Sequence, residues 1–480
     1  MISLIGVAVL LLVLRLFLES SKAAIFTSLF VIVFFTYGFF ASLLKQIYLP
    51  FSGIVVGPHK ILLPLILIFF PVLLIKLKKS KSGFLDLHHF LHITSSLLLV
   101  FQLFTVIKYE VTLPSAVSNI KDSQNQAIQK SSGMDSPDIY YLILDGYAGD
   151  EVLKDVYNYD NSAFRSFLKN SGFTVIDNAV SNYSQTHFSL PSSLNMIYLD
   201  KWIEKSRPTG DLLPFYALID QNEVFSFVKK AGYQVINFSS GWGPTEFPKG
   251  ADVNYSKSTF FRVLGRGLSL NEFYLVFLQT TALSPFIRDS LADTARGRVI
   301  YTFDQLPEMP YLRGKKFVFA HIVIPHPPYL FDENGDPVSD SELELAGESF
   351  SDRDHYLRQL KFATVRIQKV ISEIKARSKN PPIIVLQSDH GPSSILGHPY
   401  RWVRPFDPAG VSERMHILNA YYLPEGGESS LYEGITPVNT FRVLFNYYFK
   451  AGYPLLYDKN YISDYKNVFE FFDVTEKLQQ

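Results

Sequence analysis

Asp145 follows the strand-like run Asp138–Leu144, six apolar or aromatic residues after Asp138, and precedes Gly146, and Asp389-His390-Gly391 follows the strand-like run 382–388. A carboxylate at the end of such a run is presented at the rim of a sheet, and an adjoining glycine lets another group come close. Adjacent Asp and His supply an anionic oxygen and a neutral imidazole nitrogen, a mixture that suits zinc or manganese better than calcium. The stretch Asn182–Ser193 is rich in hydroxyls and runs into an apolar helical pattern near Phe188. A helix start there could hold a tetrahedral anion on its backbone N–H groups, and a Thr touching a divalent cation would be partly deprotonated and nucleophilic. His321 lies inside a further apolar run, and His326 stands just past it, before Pro327-Pro328. Taken singly, each has a plainer reading: an Asp-Gly turn, a hydroxyl capping a helix, a satisfied core histidine at 321. Their shared place at run ends favours chemistry.

Those groups need a sheet to hold them. From Pro137 onward short β-rich runs alternate with helical ones. Phe167–Asn178 and Phe227–Phe238 repeat one unit, a helix end, a Gly and then a strand. Gly suits the left-handed position after a helix, and recurrent units of this kind imply parallel pairing with crossover helices. Strands are expected at Asp138–Leu144, Phe173–Val180, Phe317–Ile324, Ile383–Gln387 and Ile417–Leu423. Helices are expected at Ser162–Ser171, Asp354–Arg377 and Pro437–Lys450. In open α/β sheets ligands bind beyond the carboxyl ends of the strands, where the residues above fall.

The first 110 residues differ in kind. Met1–Leu18 is apolar except for Arg15, Ala23–Leu44 has no charge, Ile61–Ile75 has none but contains Pro64 and Pro71, and Phe90–Ile107 carries only His92. A spanning helix needs about 20 apolar residues. The second and fourth segments pass, the first passes with its Arg at depth, and the third is short, so about four spans are expected. Lys76–Lys81 holds four lysines in six residues, which marks the cytoplasmic side. The fourth span then places everything after Lys108 outside. Counting back over four spans puts Met1 outside too, so either an upstream helix precedes this start or the third segment only dips. Residues 111–136 read as a polar tether, with a short interfacial helix on the outer leaflet as the alternative, and 137–480 as one extracytoplasmic α/β domain.

Of the 480 residues 19% are charged, with 45 basic against 45 acidic. That excludes a disordered chain and argues against nucleic acid as a partner. Cysteine is absent, which removes disulfides, thiolate metal sites and cysteine nucleophiles.

In this order, strand-Asp-Gly, hydroxyl-rich helix start, His-bearing strand end and Asp-His-Gly resemble the alkaline phosphatase/sulfatase superfamily. Within it the chain looks most like membrane-anchored sulfatase-like transferases, the group of lipoteichoic acid synthases and lipid A phosphoethanolamine transferases. The resemblance implies that Asp145, Asp389 and His390 ligate a metal, and that Thr186, followed by Ser189 and Pro191, is nucleophile and fourth ligand. It implies that His326, with His321 nearby, contacts the substrate phosphate or a second metal. Those transferases usually have Glu where Asp145 stands, and Asp-Gly there is more like phosphatases and phosphodiesterases. The second-metal histidine has no clear counterpart; His398 and His416 are the candidates. Sulfatase activity is disfavoured, since its formylglycine arises within Cys/Ser-x-Pro/Ala-x-Arg and Ser193 stands where Arg is required.

The expected cofactor is one divalent metal, zinc or manganese, with magnesium as a further choice. The expected activity moves a phosphoethanolamine- or glycerophosphate-type headgroup from a membrane phospholipid to an envelope glycan or glycolipid, through a phospho-threonine. Alternatives are a phosphodiesterase or phosphatase-type hydrolase, or a catalytically silent envelope scaffold. The expected location is the cytoplasmic (inner) membrane.

Overall fold

The computed structural model describes residues 2–45, 58–118, 137–207, 210–257, 261–263, 266–268, 277–278, 280–338, 350–398 and 402–478. The chain divides into two compact units, Met1–Ser118 with Tyr274–Asp289, and Asn119–Phe273 with Ser290–Gln480.

The first unit holds four apolar helices: α1 (Ile2–Arg15), α2 (Ser20–Lys45), α3 (Pro58–Lys79) and α4 (Leu85–Ser118). Among the described residues three of them, α2, α3 and α4, are long and apolar enough to cross a membrane. Three expectations change here. Met1–Leu18 does not form one long helix: α1 has 14 residues and stops at Arg15, and Glu19 opens the next helix by accepting from Ala23 N. The segment expected to be short is instead a continuous 22-residue helix with Pro64 and Pro71 inside it. Prolines are tolerated in apolar helices because neighbouring groups re-satisfy the freed carbonyls. The helix α4 runs to Ser118, into the expected tether; residues 119–136 lie outside the described residues.

Ser21 Oγ donates to Gly83 O (2.7 Å) and Lys22 Nζ to Ser80 O (3.0 Å), so the start of α2 closes on the turn between α3 and α4. Phe70 meets Phe26 and Phe30 edge-on, with ring centroids 5.4 and 5.3 Å apart. Tyr274–Asp289, read from the sequence as part of the α/β domain, groups with these helices. Its stretch between Glu272 and Arg288 carries no charge, so it has more to gain from an apolar helix surface than from water.

The second unit is built on a seven-stranded sheet. Its strands are β1 (Ile139–Leu144), β2 (Thr174–Val175), β3 (Gln234–Phe238), β4 (Val253–Tyr255), β7 (Lys316–Ile322), β8 (Ile383–Gln387) and β9 (Asn419–Tyr422); the short hairpin β5 (Phe261–Val263) and β6 (Arg266–Leu268) stands apart. The order is β2-β9-β8-β1-β7-β3-β4. The central strand β1 is parallel to both neighbours, with Ile139 opposite Phe317 and Ile383. All six of its residues are buried, as expected for a strand covered on both faces. Only β9 runs against the others, pairing antiparallel with β8 and β2. The fold is therefore α/β with a mostly parallel sheet.

The two repeated units share their turn and diverge in their strand. Gly172 and Gly232 both have left-handed φ (+83° and +86°), after helix ends closed by Phe173 N→Leu168 O and Tyr233 N→Val228 O. Yet β3 lies parallel between β7 and β4, whereas β2 is two residues long and pairs antiparallel at the edge. The expected strand Phe173–Val180 shrinks to those two residues. Among the other expected helices, Ser162–Asn170, Arg353–Arg377 and Pro437–Phe449 form, the last stopped by Lys450 at φ +53°.

Candidate metal centre and nucleophile

The parallel strands β1, β7 and β8 end on one rim of the sheet, and their registers fix which side chains meet there. Ile143 and Leu144 pair with His321 and Ile322, so Asp145 leaves β1 beside His321. Asp145 N donates to Ile322 O, and Asp145 O accepts from His326 N (both 3.0 Å), locking the ends of β1 and β7 together. On the other flank Asp389 Oδ1 accepts from Gly146 N (3.3 Å). Asp145, Asp389, His390, Thr186 and His321 are all buried.

Thr186 is the first residue of the helix α5 (Thr186–Asn195), whose cap is Gln185 with no side-chain capping bond. Its hydroxyl does not cap the helix; Oγ1 lies 3.1 Å from His390 Nε2. The ring of His390 is set by its other nitrogen: Nδ1 is 2.9 Å from Gly391 O, a group that only accepts, so Nδ1 carries the hydrogen and Nε2 presents a lone pair. His326 Nδ1 likewise donates to Pro327 O (2.6 Å). His321 is held the opposite way. Its Nε2 donates to Asp145 Oδ2 (3.1 Å), while Nδ1 accepts from Thr245 Oγ1 (2.9 Å), itself 2.7 Å from Ser240 Oγ.

This leaves two carboxylate oxygens facing inward. Asp145 Oδ1 and Asp389 Oδ2 are buried and accept no hydrogen bond among the described residues. They lie 3.6 and 3.5 Å from His390 Nε2. Two sets of side chains, Asp145–His326–His390 and Asp145–His321–Asp389, each bring their ligand atoms within 4.8 Å of one another. Buried carboxylate oxygens with no donor are costly. A divalent cation between them, with imidazole and hydroxyl completing the shell, removes that cost, and the donor set fits one.

The electrostatics agree with that arrangement. Burial pushes the Asp145 carboxyl up, but His326, the hydrogen bond from His321 and His390 outweigh it and hold it well below the usual carboxylate range. Burial and the adjoining charge of Asp145 push Asp389 up to about 7. Burial and Arg414 hold His390 well below the usual imidazole range, which keeps it neutral and able to ligate.

The loops are fixed from behind. Arg414, fully buried, donates through Nε to Ser184 O (2.6 Å) and through Nη1 to Gly391 O (2.9 Å), joining the loop before Thr186 to the Asp-His-Gly loop. Ser181 Oγ donates to Asp389 O (2.5 Å). Gly391 passes so near the strand β9 approach that a Cβ there would stand 2.2 Å from Glu413 O. Neither Arg414 nor Thr245 carries a signal in the sequence. An Arg at a helix end reads as a complement to the dipole, and Thr245 sits in a Gly- and Pro-rich loop.

Of the sequence candidates, Asp145, Thr186, Asp389, His390, His326 and His321 are brought together. His416 and His398 join neither set. His416 Nδ1 donates to Ser412 O (2.9 Å), and its side chain packs beside Gly149.

No protein-family model matches the chain, and no curated protein sequence does. Solved structures do. The C-terminal periplasmic domain of EcEptC from Escherichia coli is 13% identical, over 72% of this chain and 95% of that one, at a TM-score of 0.47. The soluble domain of lipooligosaccharide phosphoethanolamine transferase A from Neisseria meningitidis is 10% identical over 67% and 91%, at 0.41. The phosphonate monoester hydrolase of Agrobacterium radiobacter is 13% identical over 68% and 80%, at 0.39. At these TM-scores the likeness carries no weight for substrate or reaction.

Proposed function

We propose that the chain is a metal-dependent enzyme that moves a phosphorus-containing headgroup, of phosphoethanolamine or glycerophosphate type, from a membrane phospholipid to an envelope glycan or glycolipid. One observation carries this reading: the Thr186 hydroxyl, at the first residue of its helix, lies against His390 Nε2 beside two buried carboxylate oxygens that lack donors. It joins the resemblance of the ordered motifs to sulfatase-like transferases.

Asp145, Asp389, His390 and Thr186 would hold the cation, zinc or manganese by donor type, with His326 at its edge. The cation would lower the proton affinity of the Thr186 hydroxyl and offset charge developing on the phosphoryl oxygens. Thr186 Oγ1 attacks phosphorus, the bond from phosphorus to the lipid alcohol breaks, and the hydroxyl proton ends on that alcohol. His321 holds Asp145 through Oδ2 and keeps Oδ1 turned inward. The acceptor hydroxyl then displaces Thr186 from the phospho-threonine and returns a proton to it. With water in the acceptor's place the same first step gives a hydrolase.

Lys76, Lys78 and Lys79 close α3 and mark the cytoplasmic face, so three spans leave the domain after α4 outside a cytoplasmic membrane. A reporter fused after residue 130 should be active only outside, and activity in the cytoplasm overturns this sidedness.

Intact-mass analysis after incubation with phospholipid vesicles tests the chemistry. An adduct should form on the wild-type chain, survive Ser184→Ala and Ser189→Ala, and vanish in a folded Thr186→Ala. The two serine hydroxyls are engaged elsewhere, with Ser463 O and Ser181 Oγ. An adduct that persists in Thr186→Ala moves the nucleophile, and a metal-loaded chain with neither adduct nor turnover favours the silent scaffold.

A further inference from the structure

We propose that residues 277–278 and 280–287 belong to a re-entrant membrane element, a second lipid-embedded anchor contributed from within the span of sequence that otherwise builds the α/β unit. Residues 273–287 carry no charge. Fifteen such residues are too few to cross a bilayer of about 30 Å, and a stretch near that length suits a segment that enters and leaves by one face.

Its position on α2 gives the depth. The Phe277 ring lies 5.5 Å from that of Phe35, and Ala282 N donates to Phe34 O (2.8 Å). At 1.5 Å per residue Phe34 lies ~16 Å along α2 from Lys45, roughly half the thickness of a hydrocarbon core. That bond also takes up one N–H that lipid could not satisfy. Further bonds close on the segment itself. Thr280 Oγ1 donates to Phe277 O and Thr281 Oγ1 to Leu278 O (both 2.7 Å), while Ser284 N donates to Thr281 O and Phe286 N to Leu283 O. Among its described residues only 281–283 are non-helical, Ser284 opening the helix Ser284–Gln305, and such a break survives at membrane depth only when its polar groups are satisfied.

Beyond these contacts much apolar surface stays open. Phe277 is 39%, Leu283 44% and Phe286 71% exposed. In water this would be an apolar patch in need of cover; beside α2, itself apolar enough to span, the cover is acyl chain. The α/β unit is then tied to the bilayer through this element as well as through α4.

The absence of cysteine allows single-cysteine labelling of the full chain in phospholipid vesicles without background. Lys249→Cys is the water-exposed control, at a side chain 76% exposed. Leu283→Cys and Phe286→Cys should react at least about tenfold more slowly with a membrane-impermeant maleimide, because the reagent cannot follow them out of water. A fluorophore placed at either position with a lipid-soluble reagent should be quenched by lipids carrying a nitroxide on the acyl chain. Labelling at the rate of Lys249→Cys overturns the proposal, because the segment is then in water. Slow labelling without quenching by those lipids overturns it equally, because protein then covers the segment. Two positions guard against one variant that fails to fold.

Discussion

Asp145 and Asp389 end neighbouring parallel strands, are equally buried, and sit on either side of His390 Nε2 at nearly equal distances. They nevertheless differ in proton affinity in opposite directions. Asp145 receives a hydrogen bond from His321 and the fields of His326 and His390, and these overcome its burial. Asp389 has one backbone donor, Gly146 N, and there burial and the charge of Asp145 outweigh His321, Thr186 and His326 and push it up to about 7. Strand register places a carboxylate, but the side chains opposite it decide its charge. At the proposed metal centre this would give one permanently anionic ligand and one that exchanges a proton for the cation.

The largest effect should come from removing the anchored charge. Asp145→Asn should weaken zinc binding, measured by competition with a chelating dye, by more than about 100-fold, beyond what loss of an outer-shell partner costs. Unchanged affinity in that variant would break the distinction between the two carboxylates. His321→Gln keeps a group of similar size but holds Oδ2 less firmly, and should cost about 10–100-fold in the same titration. Next comes pH. Because Asp389 must give up its proton to bind metal, affinity should rise about tenfold per pH unit up to about 7 and flatten above it; a flat profile from pH 5 to 8 would show that Asp389 is ionised throughout.

The smallest effect concerns the metal-free chain. Between about 3.9, the unfolded carboxyl value, and about 7, the folded state keeps a proton that the unfolded chain has released. Stability therefore falls as pH rises through that window. Asp389→Asn cannot ionise, so it should raise the melting temperature of the metal-free protein at pH 8 by about 2–4 °C per kcal/mol recovered. At pH 4 the gain should vanish. A gain of the same size at both pH values would trace to packing.

The legibility of the site follows from where its residues lie. Asp145, Asp389 and His390 could be read because each ends an apolar run beside a glycine, and Thr186 and His326 because the order of motifs resembles a known family. His321 could not be assigned to core or site from its run alone, since whether it meets Asp145 depends on the pairing of β1 with β7, a property of two distant segments. Arg414 and Thr245 act from behind the site and leave no local pattern. The fold shows the same division. The helix–Gly turns at Gly172 and Gly232 are local and were legible, whereas the antiparallel, two-residue fate of β2 is set by β9. The segment Ile61–Ile75 reads as short because its uncharged run ends at the flanking lysines, whereas α3 runs from Pro58 to Lys79 and takes those lysines in.

The central place of β1 also governs how the protein can be made. It is the first strand to emerge during synthesis, yet its two partners, Lys316–Ile322 and Ile383–Gln387, come long after it. Until then β1 is an apolar strand with both edges open, the kind of segment that pairs with other chains. Contacts so distant in sequence also form slowly. A chain cut short anywhere before residue 383 therefore leaves β1 without its full set of neighbours, and early stop codons should yield aggregates, not partially active fragments.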